Sequence, residues 1–271
     1  MECASQGRTV HTPGTPRQRK QRRTWRRVLQ VALLIVLVVA ALLGGCLAWG
    51  WATTPSVDNL SALVHAQAQA HQASYTPLAR VSPLIQKALI VTEDESFYSN
   101  IGIDPVGVLR SAWDDLQAGQ LVEGGSTITE QLAKVAYLNS NDHSLGLKLQ
   151  DMALALKIEA RYSKAQILEF YLNLVYFGQY AYGIGAATSR YFGLTPAQVD
   201  LAQAALLAGL IQAPSQYNPF CHPAAARSRQ QQVLDRLLAE RDITASQAAA
   251  AKAEVLPFWA PDFQPETGPP C

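Results

Sequence analysis

The chain has 271 residues, 49% of them hydrophobic and 16% charged, with a net charge of +1. That length suits one sizeable domain, and the apolar content excludes a chain disordered throughout. Four cysteines are too few for a disulfide scaffold, and no nucleic-acid partner is expected.

The near-zero total hides an asymmetry. Residues 1–57 carry eight basic residues, Arg8 to Arg27, against one acid, Glu2, which leaves 14 of the 22 Lys and Arg against 20 of the 21 Asp and Glu for the rest. Residues 1–27 therefore form a basic tail with a role of its own. Val31 to Trp49 is an unbroken apolar run, and no charge falls between Arg27 and Asp58. A helix of ~20 apolar residues crosses a bilayer because its backbone groups bond internally. The expected span is 28–52. The positive-inside rule puts the tail in the cytoplasm and everything after Pro55 outside, with Trp49 and Trp51 at the far interface. A cleaved signal peptide fits less well, since no A-x-A site follows. Leu43-Gly44-Gly45-Cys46 loosely resembles a lipobox, and would leave the domain tethered on the same side. Cys3 falls in the tail and Cys46 in the span, while Cys221 and Cys271 share the oxidising side and can pair.

Residues 53–80 read as a stalk, helical from Ser56 to His71, and residues 81–258 as the working domain. Strand signals are absent. Ser163 with Gln166 makes a capping box ahead of Ile167, Leu168, Tyr171, Leu172 and Val175 at helical spacing. Thr195-Pro196 with Gln198 predicts a helix start before Ala202, Ala205, Leu206 and Gly209. Thr244 with Gln247 opens a last Ala-rich helix, and residues 259–271 read as a frayed tail. The fold class is all-α.

Three segments depart from ordinary helix filler. In Thr92-Glu93-Asp94-Glu95-Ser96-Phe97-Tyr98, three acids follow the apolar run Ala88 to Val91. Such a triplet is commonly a solvated helix end. Buried against apolar neighbours, however, an acid gains a raised pKa suited to general acid–base work. In Gly124 to Lys134, two glycines precede Ser126 and Thr127, either of which can cap a helix. A helix start favours an anion, and Thr127, Gln131 and Lys134 recur at helical spacing, though a plain capped helix gives the same pattern. Lys148 and Asp151 lie at i, i+3 on one face, a spacing also typical of surface ion pairs.

Together these segments resemble the glycosyltransferase domain of penicillin-binding proteins and their monofunctional relatives, glycosyltransferase family 51, from about Ser82 to Pro219. Glu93 to Tyr98 with Gly102 resembles the first motif, and Gly124 to Thr129 through Gln131-Leu132-Ala133-Lys134 the second. Ala160 to Lys164, Ile167 to Asn173 and Tyr176-Phe177-Gly178 resemble the fourth. Arg190-Tyr191-Phe192, Ala204 to Leu210 and Pro214 to Pro219 resemble the closing segment. The resemblance implies a lysozyme-like helical domain behind one N-terminal transmembrane helix, held outside the bacterial cytoplasmic membrane. It also implies that lipid II is polymerised into glycan by inverting transfer, with release of polyprenyl pyrophosphate. Glu93 and Asp151 would be catalytic, Glu93 as the base on the acceptor 4-hydroxyl. Asp94, Phe97, Ser126, Thr127, Gln131, Lys134, Lys148 and Arg190 would bind substrate. No cofactor is required, although a divalent cation, magnesium or manganese, can bridge Asp94 or Asp151 to the pyrophosphate. The partners implied are lipid II, the growing glycan, membrane lipid and other cell-wall synthesis proteins.

This chain departs from the family pattern at five places. Leu147 stands where the third motif has Arg, Asp151 where it has Glu, and Asn100 where the first has His. Glu130 replaces Gln, and Val135 replaces Asn. No Ser-x-x-Lys or Lys-Thr-Gly occurs, so a monofunctional enzyme is expected. Three other readings compete. A glycan hydrolase would use a buried Glu and a second carboxylate but needs no pyrophosphate-suited segment. A catalytically weak homologue would bind lipid II or scaffold wall synthesis. A helical-repeat adaptor would show a period, and none appears. Val106, Val108, Leu109, Trp113 and Leu116 suit either a membrane-facing surface or the core.

Overall fold

The computed structural model describes residues 16–107, 125–138 and 144–256. Gly124, Val108, Leu109, Trp113, Leu116, Cys3, Cys271 and the tail 259–271 lie outside these residues. The chain divides into two units, 1–49 and 50–271.

Helix α1, Pro16–Thr53, accounts for the described part of the first unit and enters the second. Its stretch Val28–Thr53 has a mean hydropathy of 2.9 and is long and apolar enough to cross a membrane. At 1.5 Å per residue it spans about 39 Å, against about 30 Å of bilayer hydrocarbon.

The regular structure of the second unit is helical among its described residues, save one antiparallel bridge between Tyr176 and Tyr182. Helix α2, Leu60–Ala70, buries Leu60, Val64 and Ala68. The segment 53–80, expected as a stalk, thus packs into the domain, because its apolar residues recur at helical spacing and need a partner surface. That partner is α6, Lys164–Leu174. Helix α3, Pro83–Glu93, opens on Ser82, whose hydroxyl accepts from the Leu84 amide, with Pro83 at the first helical position. Helix α4, Ile128–Ala133, continues as one π-helical turn over Lys134–Leu138. Helix α5, Leu145–Arg161, precedes α6, which starts at the predicted Ser163–Gln166 capping box. Then come α7, Ile184–Phe192, α8, Leu201–Leu210, α9, Pro223–Ala239, and α10, Ala245–Ala253.

Helix α8 is apolar on every side and accordingly central, packed against both α3 and α9. It begins later than predicted. Asp200, not Thr195, is its N-cap, with Gln203 completing the box. Thr195 and Gln198 form a separate turn, in which the Gln198 amide donates to the Thr195 carbonyl.

Gly102 makes a close approach that shapes the site. It holds φ +94°, and a β-carbon there would meet Glu159 Cγ at 2.5 Å and the Ala155 carbonyl at 3.0 Å. Its own carbonyl accepts from the buried Thr127 hydroxyl at 2.6 Å, joining the loop after α3 to the start of α4.

The two competing helix starts are separable by mutation. Asp200→Ala is expected to cost about 1 kcal/mol of stability, whereas Thr195→Ala costs a few tenths at most. Denaturation of the purified protein in detergent, followed by circular dichroism, measures the difference.

Candidate active site

Glu93 is the last residue of α3, placed where the apolar face of that helix runs out. The residue as a whole is half-buried. Gln131 on α4 donates from Nε2 to Glu93 Oε2 at 2.8 Å, and the buried Tyr171 hydroxyl of α6 donates to Gln131 Oε1 at 2.6 Å. Tyr171 thus fixes the orientation of the Gln131 amide, and the amide fixes Glu93. Burial pushes the Glu93 carboxyl above its ordinary range, with a further push from Asp94. The Gln131 hydrogen bond and the charges of Arg229 and Arg236 on α9 oppose it. A carboxylate that is oriented and raised in pKa on a half-buried residue has the properties of a general base.

Asp94 lies one residue on and is spent structurally. It is buried and accepts from the Ile128 backbone amide at 3.1 Å, from Asn100 Nδ2 at 2.9 and 3.0 Å, and from the Ser96 hydroxyl at 3.0 Å. Asn100 also accepts the Gly102 amide and Lys164 Nζ through its Oδ1. Lys164 in turn pairs with Glu159 and sits 4.7 Å over the Phe97 ring.

On the other side of α4 lies a group of four charges. Lys148 Nζ on α5 pairs with Glu130 Oε1 at 2.9 Å and donates to the exposed Ser126 hydroxyl at 3.0 Å. Asp151, one turn further along α5, feels the charges of Lys148, Lys134 and Glu130. Burial raises its carboxyl to about 6 despite the two lysines, and its Oδ1 is buried without a hydrogen-bond partner among the described residues.

Residues 60–238 match the transglycosylase family model. The chain belongs to the transglycosylase family. It is 43% identical over 173 residues to penicillin-binding protein 1A of Aquifex aeolicus, covering 64% of this chain and 24% of that one. The chain therefore spans about a quarter of that relative's length. A Cupriavidus necator protein provisionally named a transglycosylase is 40% identical over 204 residues, 75% of this chain and 87% of that one. The crystal structure of penicillin-binding protein 1A from Haemophilus influenzae aligns over 48% of this chain and 16% of that one, at 29% identity and a TM-score of 0.33.

The transglycosylase domain brings together Glu93 with Gln131, and Ser126 with Lys134, Lys148 and Asp151. Other expected ligand residues are turned elsewhere. Phe97 is fully buried, and its ring supports Lys164. The Thr127 hydroxyl is buried, accepting the Glu130 amide and donating to Gly102, so it cannot face a ligand. The amides expected to receive an anion are occupied internally. The Ile128 amide holds the Asp94 carboxylate, and the Thr127 amide holds Glu130 Oε2 at 2.9 Å. Arg190 is exposed on α7, with no hydrogen bond or ion pair to these groups among the described residues. Cys221 is disulfide-bonded, while Cys271, its expected partner, lies outside the described residues.

Four contributors go unrecognised in the sequence. It shows Tyr171 only at a helix-spaced position within the fourth motif and Glu130 only as a departure from the second, and it gives Arg229 and Arg236 no role. A Thr-x-x-Glu capping signature marks Thr127 and Glu130. Two arginines seven apart mark one face of a helix. Arg236 donates to the Thr92 carbonyl at 3.0 Å, beside Glu93.

The raised Glu93 carboxyl has a consequence for stability. Its folded pKa exceeds the ordinary value of 4.5, so its ionised form opposes folding, and the stability associated with the neutral form is lost as pH rises through the folded value. Glu93→Gln is expected to melt higher than native protein at pH 7, with the gap closing near pH 4. An equal gap at both pH values would show that charge burial is not its source.

Proposed function

We propose that this chain is a membrane-anchored peptidoglycan glycosyltransferase that joins lipid-linked disaccharides into glycan, with Glu93 as the base. The observation that carries this reading is the arrangement around α4, whose Gln131 orients the Glu93 carboxylate while Glu130 and Lys134 border a cation group. Inverting transfer needs both sides. One group removes the proton from the acceptor 4-hydroxyl as that oxygen attacks the donor's anomeric carbon. The other neutralises the pyrophosphate that leaves with the electron pair of the broken C–O bond.

Glu93 takes the first role. Its raised pKa makes it a stronger base than an ordinary surface glutamate, and Gln131 aims it without protonating it. Ser126, Lys134 and Lys148 take the second, the lysines supplying charge and the hydroxyl a hydrogen bond. Arg190 has no part beside these groups.

A divalent cation fits one of the two carboxylates considered for it. Asp94 is saturated by four hydrogen bonds, whereas Asp151 offers a buried oxygen without a partner among the described residues. Among the described residues no cluster of three or more His, Cys, Asp or Glu side chains exists. Magnesium or manganese would therefore rest on Asp151 and on oxygens of the substrate, as magnesium commonly does with phosphates. Such an ion would supply positive charge at the leaving pyrophosphate.

The proposed location follows from the apolar helix and its basic flank, with the N-terminus cytoplasmic and the domain outside. The substrates would be lipid II and the growing glycan, close to membrane lipid and other wall-synthesis proteins. No Ser-x-x-Lys or Lys-Thr-Gly occurs within these 271 residues, so no acyl transfer is proposed for this segment.

Polymerisation of labelled lipid-linked disaccharide pentapeptide by the purified protein in detergent tests the proposal. Native protein is expected to yield glycan chains, and Glu93→Gln to lower kcat by about 10²–10⁴-fold, the usual contribution of a general base. Folded native protein that binds substrate but forms no polymer would replace the enzyme with a binding homologue.

A further inference from the structure

The anion-facing side of α4 is electrically balanced, with Lys134 and Lys148 set against Glu130 and Asp151. We propose that Glu130 is an internal competitor for Lys148 that weakens retention of the pyrophosphate group. This inference rests on the pyrophosphate reading of the site given above and concerns how tightly that site holds its ligand.

Glu130 has two separable roles. Its Oε2 accepts the Thr127 backbone amide, completing the capping box of α4, while its Oε1 holds Lys148 Nζ. The first needs only an acceptor oxygen, which a glutamine would supply equally. The second needs the charge. The helix cap therefore does not explain why a carboxylate stands here.

The placement makes that charge effective. Glu130 is 3% exposed, so solvent screens it little, whereas Lys148 is 38% exposed and open to a ligand. Lys148 also donates to the exposed Ser126 hydroxyl, so the cation and a neutral hydrogen-bonding group share one accessible side. A pyrophosphate arriving there meets a lysine already neutralised from behind. Its attraction to Lys148 is offset by repulsion from Glu130 across a short, poorly screened distance. Affinity is thus held below what two free lysines would provide, which favours departure of the polyprenyl pyrophosphate product.

Titration of the full chain in detergent with inorganic pyrophosphate, followed by calorimetry with EDTA present, tests this. Glu130→Gln is expected to bind about tenfold more tightly than native protein, the size of one like charge removed at short range. Its melting temperature should change little, because the cap survives. Lys148→Met is expected to weaken binding, and the gain from Glu130→Gln to shrink in the double variant. If Glu130→Gln fails to fold, Lys148→Met and Lys134→Met make the same test. A lysine already held by Glu130 must contribute less affinity than Lys134, which forms no ion pair with it among the described residues, and an equal or larger loss from Lys148→Met would overturn the inference.

Unchanged or weaker binding by folded Glu130→Gln, with native binding intact and Lys148→Met impaired, would show that Glu130 merely positions Lys148. The inference would then fall while the pyrophosphate site stood. No binding by any of these proteins would remove both.

Discussion

The Asp94 carboxylate accepts the backbone amide of Ile128 across 34 residues of sequence, and by that contact joins the end of α3 to the start of α4. A buried carboxylate is costly unless its lone pairs are filled. Here Ile128, Asn100 and Ser96 fill them, and Lys164 adds a compensating charge. The geometry of the next carboxylate depends on that clasp. Glu93 immediately precedes Asp94, and Gln131 lies three residues after Ile128. Fixing Asp94 to Ile128 sets the separation over which the Gln131 amide reaches Glu93. Loosening the clasp would misplace the base without touching it, and misplacements of about 1 Å can cost on the order of 10²-fold in rate.

Two adjacent acids thus take opposite tasks through their surroundings alone. Asp94 faces amides and is consumed by structure. Glu93 is half-buried and has one amide partner. The arginines of α9 temper its burial, limiting how far the carboxyl rises. A base raised too far would stay protonated at neutral pH, and one left unraised would be a weak acceptor. At Glu93 burial raises the carboxyl, while Gln131 and two guanidinium groups oppose that rise. Asn100 contributes to the same clasp as a neutral amide. It donates to Asp94 and accepts from Gly102 and Lys164, and it gains no charge on acidification.

Legibility in the sequence followed the range of the interactions. The all-α class and the capping boxes at Ser163 and Thr244 were visible because caps are local chemistry. Thr195–Gln198 and Asp200–Gln203 both fit the capping pattern, and burial of α8 from Ala202 onward decided between them, a tertiary fact. The same limit applied at the site. Motif order located Glu93, Gln131, Lys134 and Lys148, but could not say which motif residues face a ligand and which the core. Phe97 and Thr127 proved internal for that reason. Within the segment 53–80, nothing local showed that Leu60 and Val64 would meet α6. Arg229 and Arg236 reach Glu93 only through the packing of α9 on α3, across more than a hundred residues.

Helix α5 ties the site to the end of the apolar helix. Lys148 and Asp151 sit near its start, and Lys157, six residues beyond Asp151, donates to the carbonyls of Trp51, Thr54 and Pro55 and to the Thr54 hydroxyl. Those carbonyls belong to a helix C-terminus, where a cation satisfies orphan acceptors and complements the dipole. Gly50 packs against the same helix, and a β-carbon there would lie 2.8 Å from the Leu149 carbonyl. Leu149 is flanked by Lys148 and followed closely by Asp151. A larger residue at position 50 would therefore press on the turn carrying both charged groups. The short distance between backbones is permitted by the glycine at position 50, and Lys157 holds the residues that follow it.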